Sequence, residues 1–120
     1  MKIPDSATVA KVCLEVAADV ESRKINPGMI CLYSRASPPK PNCAMGHVLY
    51  RLGFGYTEAY EVMGEALSRP HPLYRHAMED VMSANDACGI GDKGRQPREI
   101  GILVAALKDL AAVFAAEAGQ

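Results

Sequence analysis

Apolar residues recur along this chain at intervals of three and four, the period that lines one side of an α-helix. Val9, Val12, Cys13, Val16 and Val20 form the first such stripe and predict a helix over residues 6–23, with Asp5 and Ser6 as capping residues. Asn26-Pro27-Gly28 is turn chemistry and closes it. The next apolar run, Met29-Ile30-Cys31-Leu32-Tyr33, is short enough for a strand or a buried extended segment, yet no partner strand follows. Residues 34–42, SRASPPKPN, carry three prolines and read as a rigid extended loop, because proline removes the helical N–H and restricts the residue before it.

Helical periodicity then resumes. Asn42 is the expected N-cap of a short helix over residues 43–52, closed by Gly53 and Gly55. Thr57 caps the next, over residues 58–67. Arg69-Pro70-His71-Pro72 interrupts the chain, and Pro72 suits the first turn of a helix reaching Asn85. A glycine-rich segment, GIGDKGRQP, precedes a final helix over residues 98–118, whose Ile100, Leu103, Val104, Leu107, Leu110 and Phe114 make the longest apolar stripe. The expectation is all-α: residues 1–120 as a single compact bundle of about five helices, with a long Pro-rich loop after the first.

Composition narrows the classes of function. With 49% hydrophobic and 22% charged residues, the chain has the balance of a globular domain rather than a disordered one. A net charge of −1 supplies no broad basic field for nucleic acid, so a protein partner is the stronger expectation. Lys108, Asp109 and Glu117 break the longest apolar region, so no membrane span is expected, and a cytoplasmic setting follows from Asp5 and Lys11 breaking any leader-like run. The four cysteines stand singly, without a C-x-x-C pair, so neither a zinc motif nor a disulfide framework is expected. No cofactor or metal is implied.

Candidate chemistry begins at Asn42-Cys43-Ala44-Met45-Gly46-His47. On a helical wheel Met45, Val48, Leu49 and Leu52 define a core side, while Cys43, His47 and Tyr50 lie opposite. Residues four apart meet on a helix, so Cys43 and His47 could pair, with the helix N-terminus favouring a thiolate. That is the material of a cysteine nucleophile; the competing reading is a small apolar residue packing a joint. The second feature is Asn85-Asp86. Asn85 continues the apolar stripe of Tyr74, Ala77, Met78 and Val81, so its amide must find partners, either as a clamp on a loop or by orienting His47 or a ligand; Asp86 points away. The letters G-x-G-x-x-G over Gly89–Gly94 are not a dinucleotide fingerprint, because a helix rather than a strand precedes them. Lys93 and Arg95 in that loop could hold an anion near the last helix. Arg69, His71, Arg75 and His76 make a locally basic turn that is a candidate contact surface.

Cys43-Ala44-Met45-Gly46 at a helix start, Asn85-Asp86 with Gly89, and the last helix up to Leu110 resemble a group of small uncharacterised proteins of actinobacteria and their phages, which carry C-x-x-G-A followed by an N-D pair. The chain departs from that pattern at His47, where the group tends to have alanine, and lacks a tryptophan ahead of the N-D pair. The resemblance implies a phage or bacterial origin and no reaction. The function expected is therefore that of a phage-encoded accessory protein, working in the bacterial host cytoplasm, that binds a host or phage macromolecule without catalysis. Two alternatives stand beside it. One is a cysteine-dependent hydrolase or transferase with Cys43 as nucleophile, His47 or His76 as base and Asn85 or Asp86 orienting the imidazole. The other is a binder of small anions through residues 89–98.

Overall fold

The computed structural model describes residues 4–25, 32–34, 38–64, 72–88 and 97–119. Five helices follow one another: α1 (Ser6–Glu21), α2 (Ala44–Arg51), α3 (Tyr56–Gly64), α4 (Pro72–Ala87) and α5 (Pro97–Ala118). Among the described residues there is no strand, only an isolated antiparallel bridge between Tyr33 and Pro41. The all-helical bundle expected from periodicity is what forms.

α1 and α5 make the largest helix pair and run antiparallel. The Ser6 hydroxyl, at the start of α1, donates to Glu117 Oε1 at the end of α5 at 3.0 Å. Every residue of the two predicted stripes is buried, from Val9 to Val20 on α1 and from Ile100 to Phe114 on α5. α4 packs beside α5, where the Tyr74 and Phe114 rings lie 5.3 Å apart. α2 then fits against α1 and α4, burying Met45, Val48 and Leu49. One continuous core joins all five helices. The radius of gyration, 13.4 Å, matches the roughly 13–14 Å expected for a compact chain of this length.

Helix ends differ from expectation in instructive ways. Asp5 is the cap of α1 and accepts from Thr8 N–H at 2.8 Å. That helix stops at Glu21 rather than running to the Asn-Pro-Gly turn. Lys24 N–H bonds back to the Asp19 carbonyl and Arg23 N–H to that of Val20, a Schellman closure with Arg23 at φ 65° in the position glycine usually takes. Gly53, at φ 95°, ends α2 in the same way, with Phe54 N–H on the Leu49 carbonyl. α2 is capped by Cys43, not Asn42. α3 starts at Tyr56, so Thr57 lies inside its first turn, and α4 extends through Asn85 to Ala87.

Candidate functional site

The start of α2 is a built joint. Cys43 has extended backbone angles, φ −88° and ψ 172°, and its Sγ accepts from Gly46 N–H at 3.3 Å. This is the geometry of an N-cap side chain bonding the third helical N–H, with sulfur replacing the usual oxygen. The first helical N–H, of Ala44, donates to Asn85 Oδ1 at 3.0 Å. Asn85 is 1% exposed and reaches across from α4. Two of the four N–H groups that a helix start leaves without partners are thus satisfied by the two residues that the sequence singled out. Gly46 completes the joint. A Cβ built on it would lie 1.9 Å from the Leu32 carbonyl oxygen, so the chain passes directly over the helix at this point. That same carbonyl accepts from Asn42 N–H at 2.9 Å.

This arrangement separates Cys43 from His47. Cys43 is 4% exposed and does not lie on the outward side that the helical wheel assigned it. As the cap it precedes the regular helix, and its extended backbone turns the thiol back onto the Gly46 N–H. Burial pushes the thiol pKa up, against the smaller opposing pull of the Gly46 and Met45 N–H groups, and the nearby Asp86 carboxylate adds to the rise. Burial thus outweighs the N–H groups of the helix start at this thiol. His47 is half-buried and faces different neighbours: burial and the Arg51 guanidinium lower its pKa, with Asp19 of α1 opposing them. Arg51 itself is ion-paired with Asp19, which holds the Asp19 carboxyl below its ordinary range. His47 N–H bonds the Cys43 carbonyl at 3.0 Å, but among the described residues no side-chain hydrogen bond links the two. Asp86 is exposed.

The other candidate residues are spread out. Arg75 and His76 are exposed on α4, with His76 Nδ1 3.8 Å from Glu79 Oε2. Arg69, His71, Lys93 and Arg95, and the Gly89–Gly94 motif, lie outside the described residues. Of the five residues 29–33, only Leu32 and Tyr33 are described, both buried. Cys13, Cys43 and Cys88 are free and buried, and burial carries the Cys13 thiol up to about 12. The described residues bring together no group of three His, Cys, Asp or Glu side chains able to hold a metal, and none of their helices is long and apolar enough to cross a membrane.

A different constellation went unnoticed in the sequence. Tyr33 is 2% exposed and donates its hydroxyl to the Phe54 carbonyl. Its ring meets Tyr50 of α2 edge-on at 6.2 Å and Tyr56 of α3 at 6.3 Å, and Tyr56 in turn meets Tyr60 at 5.2 Å. Four of the chain's five tyrosines thus form one connected row. Tyr50, Tyr56 and Tyr60 are each left 41–54% exposed. The Pro-rich segment borders them through the Tyr33–Pro41 bridge, reinforced by Ser34 N–H on the Lys40 carbonyl at 2.7 Å. Only the spacing of Tyr56 and Tyr60, four apart on one helix, was a readable hint. Compared with protein-family models, curated proteins and solved structures, the chain matches none.

Proposed function

We propose that this chain is a small non-catalytic accessory protein that binds a protein partner through its tyrosine surface. The observation that carries this reading is the row of three half-exposed tyrosines braced on the buried Tyr33. A buried, hydrogen-bonded ring in the middle holds its neighbours in place, so little rotamer freedom remains to be lost on binding. Tyrosine offers a large apolar ring with a polar tip, and it is enriched among residues that dominate interface energetics. Contiguous apolar exposure of this kind marks interaction surfaces more often than it occurs idly. The neighbouring Pro-rich segment, with Pro38, Pro39 and Lys40 exposed, extends the same surface. The phage-encoded origin and the host-cytoplasm setting form part of the proposal on the strength of the Cys43–Gly46 and Asn85-Asp86 resemblance alone.

The thiol chemistry has less in its favour, since Cys43 is buried, its pKa is raised and its sulfur is engaged in capping. The test of the binding reading is affinity capture from bacterial lysate with the wild-type chain and with a Tyr50→Ser/Tyr60→Ser variant, both checked for native circular dichroism. A protein retained by the first and lost by the second is the expected result. Identical capture profiles would sink the proposal.

A further inference from the structure

Resting on that reading, we infer that the partner segment is a polyproline-type stretch carrying lysine or arginine, laid along the row from Tyr50 to Tyr60. Geometry supplies the first reason. Tyr50, Tyr33, Tyr56 and Tyr60 follow one another at centroid spacings of 5.2–6.3 Å, which makes a row of ring edges rather than an enclosed pocket. An extended polyproline helix presents a ridge of rings at a rise of about 3.1 Å per residue, is already ordered before binding, and docks on aromatic-lined surfaces of this kind. Its carbonyls find donors in the tyrosine hydroxyls.

The chain itself provides the second reason. Its own Pro-Lys-Pro segment pairs with the backbone at Tyr33, the central residue of the row, through the Tyr33–Pro41 bridge and Lys40 N–H on Ser34 Oγ at 3.1 Å. An extended proline-and-lysine segment is thus what already borders Tyr33 on one side, and the exposed rings continue the surface on the other.

Charge is the third reason. Glu61 is exposed on α3 beside Tyr60, Glu58 is exposed on the opposite side of that helix, two residues from each ring, and no ion pair among the described residues engages either. The Glu58 charge reaches Tyr33, adding to burial and to Tyr50 in pushing its hydroxyl up to about 12. Arg51, next to Tyr50, is already neutralised by Asp19. A cationic side chain on the incoming segment therefore meets the Glu61 carboxylate at the Tyr60 end of the row.

The experiment is fluorescence anisotropy with a labelled peptide of Pro-Pro-Lys-Pro repeats, titrated with the full chain. Two control peptides replace either every proline by alanine or every lysine by glutamate. Saturable binding is expected for the first peptide, weaker by about tenfold or more for each control and for the Tyr60→Ala chain. A second variant, Glu58→Gln/Glu61→Gln, should bind the lysine peptide less well while retaining its fold. Absence of saturation, or equal binding of the alanine control, overturns the inference. So does a concentration-dependent dimer that dissolves on Tyr60→Ala and that the peptide cannot compete, since the surface then serves a second copy of the chain. If the peptide fails while tyrosine-dependent capture from lysate persists, the class of partner is wrong and the binding reading stands. If both fail, both are refuted.

Discussion

Replacing Gly46 by alanine sets two opposing effects against each other, and the structure says which wins. Gly46 lies within α2, and in a helix interior alanine is favoured over glycine by about 1 kcal/mol. Propensity alone therefore predicts a more stable protein. The added methyl, however, would sit 1.9 Å from the Leu32 carbonyl oxygen and 2.8 Å from its carbon, both backbone atoms that cannot rotate away. Either α2 or the segment at Leu32 must move. Overpacking of this sort costs about 1–3 kcal/mol. Displacing the Leu32 carbonyl also weakens its bond from Asn42 N–H, now 2.9 Å, for roughly another 1 kcal/mol. The net expectation is a loss of about 1–3 kcal/mol after the propensity gain is subtracted. Gly101 is the matched control. It also lies inside a helix, α5, and a Cβ there would meet no heavy atom within 4 Å. Gly101→Ala should raise stability by about 0.5–1 kcal/mol. Urea unfolding followed by far-ultraviolet circular dichroism measures both variants, provided the slope against urea is unchanged between them. A Gly46→Ala midpoint equal to or above wild type would mean that the chain does not cross α2 at Leu32, and the account of the joint would fall with it.

Other consequences follow from the same contacts. Asn85→Ala leaves the Ala44 N–H buried without its acceptor and should cost about 2 kcal/mol in the same urea assay; a change under about 0.5 kcal/mol would show the amide to be idle. Cys43 should resist alkylation at pH 7–8 in the native protein and react only on unfolding, as Cys13 should, because burial raises both thiols; rapid native modification of Cys43 alone would restore the nucleophile reading. His47 has its pKa lowered in the fold, so below its ordinary value of 6.5 the unfolded chain takes up more protons than the folded one. Stability should then fall as pH drops from 6.5 through the lowered folded value, and His47→Gln should flatten that part of the profile, which thermal melts across pH 7 to 5 would reveal. Tyr33→Phe removes the donor to the Phe54 carbonyl and should cost about 1–2 kcal/mol; unchanged stability would mean that the hydroxyl is not seated there.

The helices were legible because their signals are local and redundant. Every apolar position assigned to the stripes of α1 and α5 is buried, since burial of one side is what stabilises a helix in a bundle and the period of that side is written directly in the residues. Helix ends were less legible. Arg23 in the left-handed region carries no compositional mark, unlike Gly53, so the early stop of α1 at Glu21 could not be read while the end of α2 could. The cap at Cys43 is not readable from residue type, since cysteine is a poor cap; what makes it one is the burial of its sulfur and the arrival of Asn85, 41 positions beyond Ala44, from α4. That Asn85 lies on the buried stripe was readable. Which backbone group it holds was not, because nothing in either segment names the other.

The tyrosine row was invisible for the same reason, since Tyr33, Tyr50, Tyr56 and Tyr60 come from three separate elements. Yet the joint and the row are physically connected. Gly46 admits the segment at Leu32 onto α2, and the next residue is Tyr33, against which the Tyr50 and Tyr56 rings pack. Cys43 and Asn85 fix where α2 begins, and α2 carries Tyr50. Cys43 and Asn85 thus hold the start of the helix that carries Tyr50, while Gly46 seats the segment that carries Tyr33. This connection makes its own demand on experiment. Gly46→Ala touches none of the exposed tyrosines, yet by shifting Tyr33 relative to α2 it should weaken binding of the Pro-Pro-Lys-Pro peptide at temperatures well below unfolding, while Gly101→Ala leaves it unchanged. If Gly46→Ala loses stability but binds as tightly as wild type, the joint supports only the fold, and the rings of α2 and α3 must hold their arrangement without it.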